Sequence, residues 1–151
     1  MQLTRYTDYA LRVLTYLAVV PQGEKVNIEQ ISLRYDLSLH HLKKIVQQLG
    51  VFGIVETRRG KGGGISLQKA PNQINLGEVV ALLENNLDVI DCHTAPCKIL
   101  PACRLKGILA IATQAFIQTL NEYTLADLVS DNKAELIQLL VLEDSQQPQS
   151  Y

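Results

Sequence analysis

The sequence predicts a mainly α-helical chain with one small β-hairpin, and three observations carry that expectation. Apolar residues recur at helical spacing in several separate stretches. Two short alternating runs, Ile54-Val55-Glu56-Thr57 and Ile65-Ser66-Leu67-Gln68, flank a single glycine-rich segment. A long stretch from about Arg104 to Leu120 is apolar on more than one side.

In chain order, Tyr6, Tyr9, Ala10, Val13, Leu14 and Leu17 form the apolar stripe of a first helix, which Pro21 and Gly23 stop. Asn27 followed three residues later by Gln30 is a capping-box start, and Ile28, Ile31 and Tyr35 line one side of a short second helix. Ser38 reads as the N-cap of a third helix reaching Leu49, with Gly50 suited to a left-handed C-terminal position. Leu39, Leu42, Ile45, Val46 and Leu49 fall on one side of that helix, leaving His40, Lys44 and Gln47 opposite. A short helix, a tight turn, and a second helix with an apolar back and a hydrogen-bonding front match a helix-turn-helix over about 28–51. On its own this stretch equally describes a plain helical hairpin with a solvated face.

The segment that follows decides between the two. Arg58-Arg59-Gly60-Lys61-Gly62-Gly63-Gly64 joins the alternating runs, so the pair reads as a wing over 53–68 with a basic tip. Glycines let backbone N–H groups approach a neighbour closely, and Arg58, Arg59 and Lys61 supply charge suited to phosphates or to a narrow minor groove. A Gly-rich loop could instead cradle a nucleotide phosphate, but the Walker pattern fails, because no Gly-Lys-Ser/Thr opens a following helix here. Helix-turn-helix followed at once by a basic hairpin is the order of a winged helix-turn-helix DNA-binding domain, assigned to 1–71. Charge agrees with this division. Residues 1–70 carry ten Lys/Arg against five Asp/Glu, and residues 71–151 carry four against ten, so a net charge of -1 hides a basic half and an acidic half.

Lys69-Ala70-Pro71-Asn72 is the linker, and Asn75 is the expected cap of a helix through Val79, Val80, Leu82 and Leu83. In the long helix from Arg104, Leu105, Ile108, Leu109, Ala112, Ala115 and Phe116 share a face, with Ala110 and Ile117 on the far side. That is too much apolar surface for one groove, which predicts a dimerisation helix meeting its symmetry mate in a homodimer. Thr124 begins a short helix through Leu128, Lys133 to Leu142 forms another, and 143–151 reads as a disordered polar tail.

All three cysteines lie in one segment, Cys92-His93-Thr94-Ala95-Pro96-Cys97-Lys98-Ile99-Leu100-Pro101-Ala102-Cys103. Clustering of this kind is poorly explained by thiols acting as small buried hydrophobes. Structural zinc sites draw on close Cys pairs plus a second pair elsewhere, which this chain lacks. Loop-borne thiolates at wider intervals suit an iron–sulfur cluster, which tolerates a non-Cys ligand; His93, Asp91 or a more distant side chain could supply it. Lys98, Arg104 and Lys106 bring positive charge that favours thiolates and offsets the cluster. A catalytic cysteine with His93, His40 or His41 as base is the enzyme alternative, but no nucleophile motif or orienting third residue accompanies it. A zinc-bound or metal-free winged-helix regulator remains the other alternative.

With 47% hydrophobic and 19% charged residues, the chain has material for a sizeable core and is neither disordered nor a disulfide-stapled mini-protein. No apolar run approaches the roughly 20 residues needed to cross a bilayer, and the first residues lack a signal peptide's apolar region. A reducing cytoplasm without membrane attachment is therefore the expected setting.

Several motifs taken together resemble a known family. Met1-Gln2-Leu3-Thr4, Thr7-Asp8-Tyr9-Ala10-Leu11-Arg12, Arg59-Gly60-Lys61-Gly62-Gly63-Gly64-Ile65, the Cys92-x4-Cys97-x5-Cys103 spacing and Tyr123-Thr124-Leu125-Ala126-Asp127-Leu128 occur in one order over about 1–142. The chain resembles the nitric-oxide-sensing NsrR branch of a family of dimeric winged-helix regulators that includes the iron–sulfur-assembly regulator IscR. The resemblance implies that Cys92, Cys97 and Cys103 hold one iron–sulfur cluster per subunit, of either the 2Fe–2S or the 4Fe–4S type. It implies that Asp8 reaches across the dimer as the remaining ligand, against which stands an ordinary i,i+4 ion pair between Asp8 and Arg12. The IscR branch is similar but has a His three residues after its last Cys, where this chain has Lys106. The implied function is repression from double-stranded operator DNA, released when nitric oxide attacks the cluster. Residues 72–142 then carry the cluster loop and dimerisation helices. On that picture Arg12, Lys43, Lys44, Arg58, Arg59 and Lys61 position phosphates, and Ser38, His40 and Gln47 reach base edges.

Overall fold

The computed structural model describes residues 2–92, 94 and 96–142. The tail assigned to 143–151 and the candidate ligand His93 lie outside the described residues.

Six α-helices and one two-stranded antiparallel sheet make up the described architecture: α1 Arg5–Val19, α2 Ile28–Tyr35, α3 Leu39–Val51, β1 Val55–Arg58, β2 Gly64–Leu67, α4 Leu76–Leu83, α5 Arg104–Asn121 and α6 Lys133–Ile137. Single 3-10 turns at Pro71–Gln73, Leu100–Ala102 and Leu125–Leu128 and a π-helical turn at Gln138–Leu142 connect or extend them. The expected mainly α chain with a small wing is the observed one. None of the described helices is long and apolar enough to cross a membrane.

Local chemistry explains the boundaries. Thr4 caps α1 by accepting a hydrogen bond from the Thr7 amide. Asn27 accepts from the Glu29 amide, while its own amide donates to Gln30 Oε1, which realises the reciprocal cap read from the sequence. The turn between α2 and α3 is closed by the Asp36 amide donating to Leu33 O and the Leu37 amide to Ser32 O, with Asp36 left-handed at φ 51°. Aspartate tolerates that conformation better than most residues.

The end of α3 differs from the sequence reading. Gly50 remains helical, the helix continues to Val51, and the left-handed residue is Gly53 at φ +68°. The Gly53 amide donates to Gly50 O and the Ile54 amide to Leu49 O, the paired closure that ends a helix and starts the wing without a gap. The strands also start one residue later or earlier than the alternating runs, because the ladder runs from Val55 opposite Leu67 to Arg58 opposite Gly64. Unforeseen was a third edge: Val26 and Ile65 exchange both backbone hydrogen bonds at 2.8 Å, tying the chain before α2 to β2.

Ala10, Val13 and Leu14 of α1, Ile31 of α2, and Leu42, Ile45 and Leu49 of α3 are all fully buried. Burying a Val, Leu or Ile side chain contributes about 1.5–3 kcal/mol, so the packing of α1, α2 and α3 on one another is a principal source of stability. The same buried cluster continues through Ile74, Val79 and Leu83 to Leu125, Val129 and Leu140. The conspicuous Tyr-Thr-Leu-Ala-Asp-Leu stretch serves this continuation. Asp127 Oδ2 accepts from both the amide and the hydroxyl of Thr124, and fully buried Leu125 donates its amide to Ile74 O. At the other end, the amide and hydroxyl of Thr4 donate to Glu84 Oε1 at 2.8 and 3.0 Å, fastening the start of α1 to the end of α4.

Candidate nucleic-acid interface and cysteine loop

The candidate recognition surface comprises exposed residues of α3 and of the wing hairpin. His40, Lys43, Lys44 and Gln47 stand at i, i+3, i+4 and i+7 and are all exposed, while Leu42, Ile45, Val46 and Leu49 anchor the opposite side in the core. Lys43 and Gln47 line one open groove together with Glu56, Thr57, Arg58 and Arg59 of the wing. Ser38 occupies the N-cap position of α3, is exposed and makes no capping hydrogen bond. Lys61 lies exposed at the wing tip, between Gly60 and Gly62, both of positive φ.

Two of the arginines read as phosphate contacts already have partners. Arg58 Nε donates to Glu56 Oε1 at 2.9 Å, and this pairing holds the Glu56 carboxyl below the ordinary range, with the charge of Lys25 adding to the effect. Arg12 grips Asp8 through two bonds, Nε to Oδ1 and Nη2 to Oδ2, both 3.0 Å. The i,i+4 ion pair weighed for Asp8 is therefore present. The same guanidinium lies 5.9 Å from the centroid of the Tyr35 ring. Burial pushes the Tyr35 phenol up to about 12, and the nearby Arg12 charge only partly opposes that rise. Neither Glu56 nor Lys25 was singled out in the sequence; the signal for Glu56 was an acid inside an otherwise basic hairpin.

The cysteine loop lies between α4 and α5. Cys92 and Cys103 are half-buried, Cys97 is exposed, and all three thiols are free. The Leu100 amide donates to Cys97 O and the Cys103 amide to Leu100 O, so the 3-10 turn spaces the last two thiols and Cys103 becomes the residue that opens α5. Cys92 borders a cleft with Lys106, Leu109, Thr113 and Ile117 of α5. Among the described residues, no three His, Cys, Asp or Glu side chains are gathered around one point as a metal-holding group. The Asp91 carboxylate accepts from both the amide and the hydroxyl of Thr94. In kind and in number, three unpaired thiols on one loop opening a helix fit a soft, thiolate-bound cluster.

Along α5, Leu109, Thr113, Phe116, Ile117 and Leu120 are half-buried on the side that packs on α4. Ile117, read as lying on the far side from Leu109 and Phe116, is half-buried as they are. Leu105, Ile108 and Ile111 remain 54%, 57% and 68% exposed beside exposed Ala112 and Ala115.

Comparison with known proteins settles the family. The profile of the Rrf2 family, described as iron-dependent transcriptional regulators, matches residues 3–131. The chain belongs to the Rrf2 family. It is similar to the HTH-type transcriptional regulator NsrR of Halalkalibacterium halodurans, with 45% identity over 146 residues covering 95% of this chain and 99% of that protein. The NsrR regulators of Geobacillus kaustophilus and Bacillus subtilis are 48% and 46% identical, over 93% and 95% of this chain and 97% and 100% of theirs. Among solved structures, the Bacillus subtilis global cysteine regulator CymR superimposes with a TM-score of 0.67 at 25% identity, over 86% of this chain and 97% of that one. The fold is also that of T. potens IscR, with a TM-score of 0.70 at 22% identity over 100% and 95% of the two chains. The Rrf2 chain described here is accordingly a DNA-binding transcriptional regulator and not an enzyme.

Proposed function

We propose that this regulator is a cytoplasmic transcriptional repressor that senses nitric oxide through an iron–sulfur cluster and lets go of its operators when the cluster is destroyed. The observation that carries the reading is the three-thiol loop at the start of α5, in a chain 45% and 46% identical over 95% of its length to two regulators named NsrR. Cys92, Cys97 and Cys103 would hold the cluster, with Asp8 of the partner subunit as the remaining ligand. When bound, such a cluster supplies iron atoms that nitric oxide attacks.

The chain's own residues supply the coupling. Cys103 is continuous with α5, α5 packs on α4, and Glu84 at the end of α4 holds Thr4 at the start of α1. Helix α1 in turn packs on α3, and Tyr6 Oη donates to Lys44 O of the recognition helix at 3.3 Å. Constraint on the cysteine loop is thereby felt at the surface that meets DNA. Arg12 now holds both oxygens of Asp8, so ligation by Asp8 would draw on a carboxylate that the Asp8–Arg12 pair already orients.

The exposed Leu105, Ile108 and Ile111 edge of α5 is the proposed homodimer contact, which pairs two recognition helices on two half-sites. In the groove, Lys43, Lys44, Arg58, Arg59 and Lys61, with Arg12, are the proposed phosphate contacts; Ser38, His40 and Gln47 are the proposed readers of base edges. Replacing Cys97 by Ala tests the reading. The variant should fold, lose the brown chromophore of anaerobically purified protein and lose nitric-oxide-sensitive DNA binding. Retained sensitivity in that variant contradicts the proposal, and a colourless native protein containing zinc favours a zinc-stabilised regulator instead.

A further inference from the structure

One ammonium group in the described residues is shielded from solvent with no hydrogen-bond acceptor: Lys25 Nζ. A buried charge without a partner is costly and calls for a compensating group nearby. The strand register identifies it. Val26 and Ile65 form a hydrogen-bonded antiparallel pair, which sets Lys25 opposite Ser66 one residue along. Ser66 is in turn paired with Glu56 on β1. Lys25 thus lies across β2 from Glu56, on the segment that the Val26–Ile65 bridge ties to that strand. Two inter-strand spacings of about 4.8 Å are within the combined reach of extended Lys and Glu side chains, and Ser66 between them is small and buried.

Arg58 lies on the same face two residues beyond Glu56 and holds its carboxylate at 2.9 Å. One carboxylate thus faces two cations, one fully engaged and one waiting. Arg58 first, and Lys25 as well, hold the Glu56 carboxyl below its ordinary range, so the Lys25 charge reaches the carboxylate. A DNA duplex changes this balance. A phosphate that takes Arg58 leaves Glu56 as a bare anion beside a polyanion, which opposes binding unless another cation covers it.

We propose that Glu56 is a relay carboxylate: it holds Arg58 in the free regulator and passes to Lys25 when Arg58 turns to a DNA phosphate. Lys25 and Glu56 are positioning residues in this scheme; neither has to touch DNA. The relay keeps Arg58 ordered and partly neutralised off DNA, and it removes the carboxylate's repulsion on DNA. It rests on the reading of Arg58 as a phosphate contact.

A double-mutant cycle tests the relay, using full-length protein and a mixed-sequence duplex of about three helical turns, with binding followed across a salt series. Lys25→Met keeps the stem, removes the orphan ammonium and should fold at least as well as the parent. It should weaken duplex binding about tenfold and flatten the salt slope by about one unit, because Glu56 retains Arg58. In the Glu56→Gln background the same Lys25→Met change should cost twofold or less, with the slope restored. Lys25→Arg, which keeps the charge, should behave as the parent. Equal losses from Lys25→Met in both backgrounds overturn the relay. Arg58→Ala separates the two readings: if it weakens binding and flattens the slope while the Lys25–Glu56 cycle is additive, the relay alone fails. If Arg58→Ala changes neither quantity, the phosphate contact fails and the relay with it.

Discussion

The junction between recognition helix and wing can be tested with two alanines of very different expected cost. Gly53 and Gly64 both have positive φ, at +68° and +145°. A Cβ at Gly53 meets nothing closer than Gln68 Oε1 at 3.8 Å, so Gly53→Ala bears only the left-handed penalty of about 1–2 kcal/mol. A Cβ at Gly64 would stand 2.8 Å from Val26 O and 3.2 Å from Lys25 Cβ. Backbone cannot move aside as a side chain does, so Gly64→Ala adds the opening of the Val26–Ile65 bridge to a conformation that only glycine readily adopts. The two bridge hydrogen bonds contribute about 1 kcal/mol each, and the conformational strain adds about 1–3 kcal/mol. The sum is about 3–5 kcal/mol. For a chain of this size, at about 2–4 °C per kcal/mol, Gly53→Ala should lower Tm by a few degrees and Gly64→Ala by about 10 °C. Thermal melts by circular dichroism read both, and DNA binding should fall clearly only in Gly64→Ala, where the third wing edge is lost. Equal shifts in the two variants, or a Gly64→Ala protein melting with the parent, would refute the assignment of that edge.

Two further outcomes follow from the second half of the chain. Asp127→Ala should lower Tm near neutral pH by breaking the cap on the Leu125–Leu128 turn. The Thr124 amide and hydroxyl hold the Asp127 carboxyl below its ordinary value, so this contribution is full above about pH 3.9, the unfolded-state pKa, and disappears as pH falls through the folded one. The difference between variant and parent should therefore close in acid, which pH-dependent melts will reveal. Ile108→Lys, placed on the exposed edge of α5, should convert the proposed dimer to a monomer in sedimentation without lowering helix content, and a dimer of unchanged affinity contradicts the proposed α5 interface.

The parts of this molecule legible in its sequence are those governed by short-range rules. Apolar spacing located α1, α3 and α5, the Asn27–Gln30 pair marked the start of α2, and seven residues between two alternating runs announced the wing. What escaped depends on partners distant in the chain. The Val26–Ile65 bridge joins residues 39 apart, and no local pattern around Val26 distinguishes it from a loop. Two glycines three residues apart compete to end α3, and the winner, Gly53, is fixed by where Ile54 has to enter the hairpin. At the candidate site, the exposed residues of α3 could be read from the helical wheel, because burial of Leu42, Ile45 and Leu49 dictates what faces outward. The occupation of Arg12 by Asp8 was foreseeable as an i,i+4 pair, whereas the engagement of Arg58 by Glu56 follows from strand alternation that becomes certain only once the register is known.

The claim on which the functional account turns is that three loop thiols hold a nitric-oxide-reactive cofactor. Iron and acid-labile sulfide should be counted per chain in protein purified without oxygen, and the same sample titrated with nitric oxide while its affinity for operator DNA is followed. The account predicts stoichiometric iron and sulfide, and operator affinity that falls in step with the added nitric oxide. Protein devoid of both elements, yet binding operator with an affinity indifferent to nitric oxide, would contradict it.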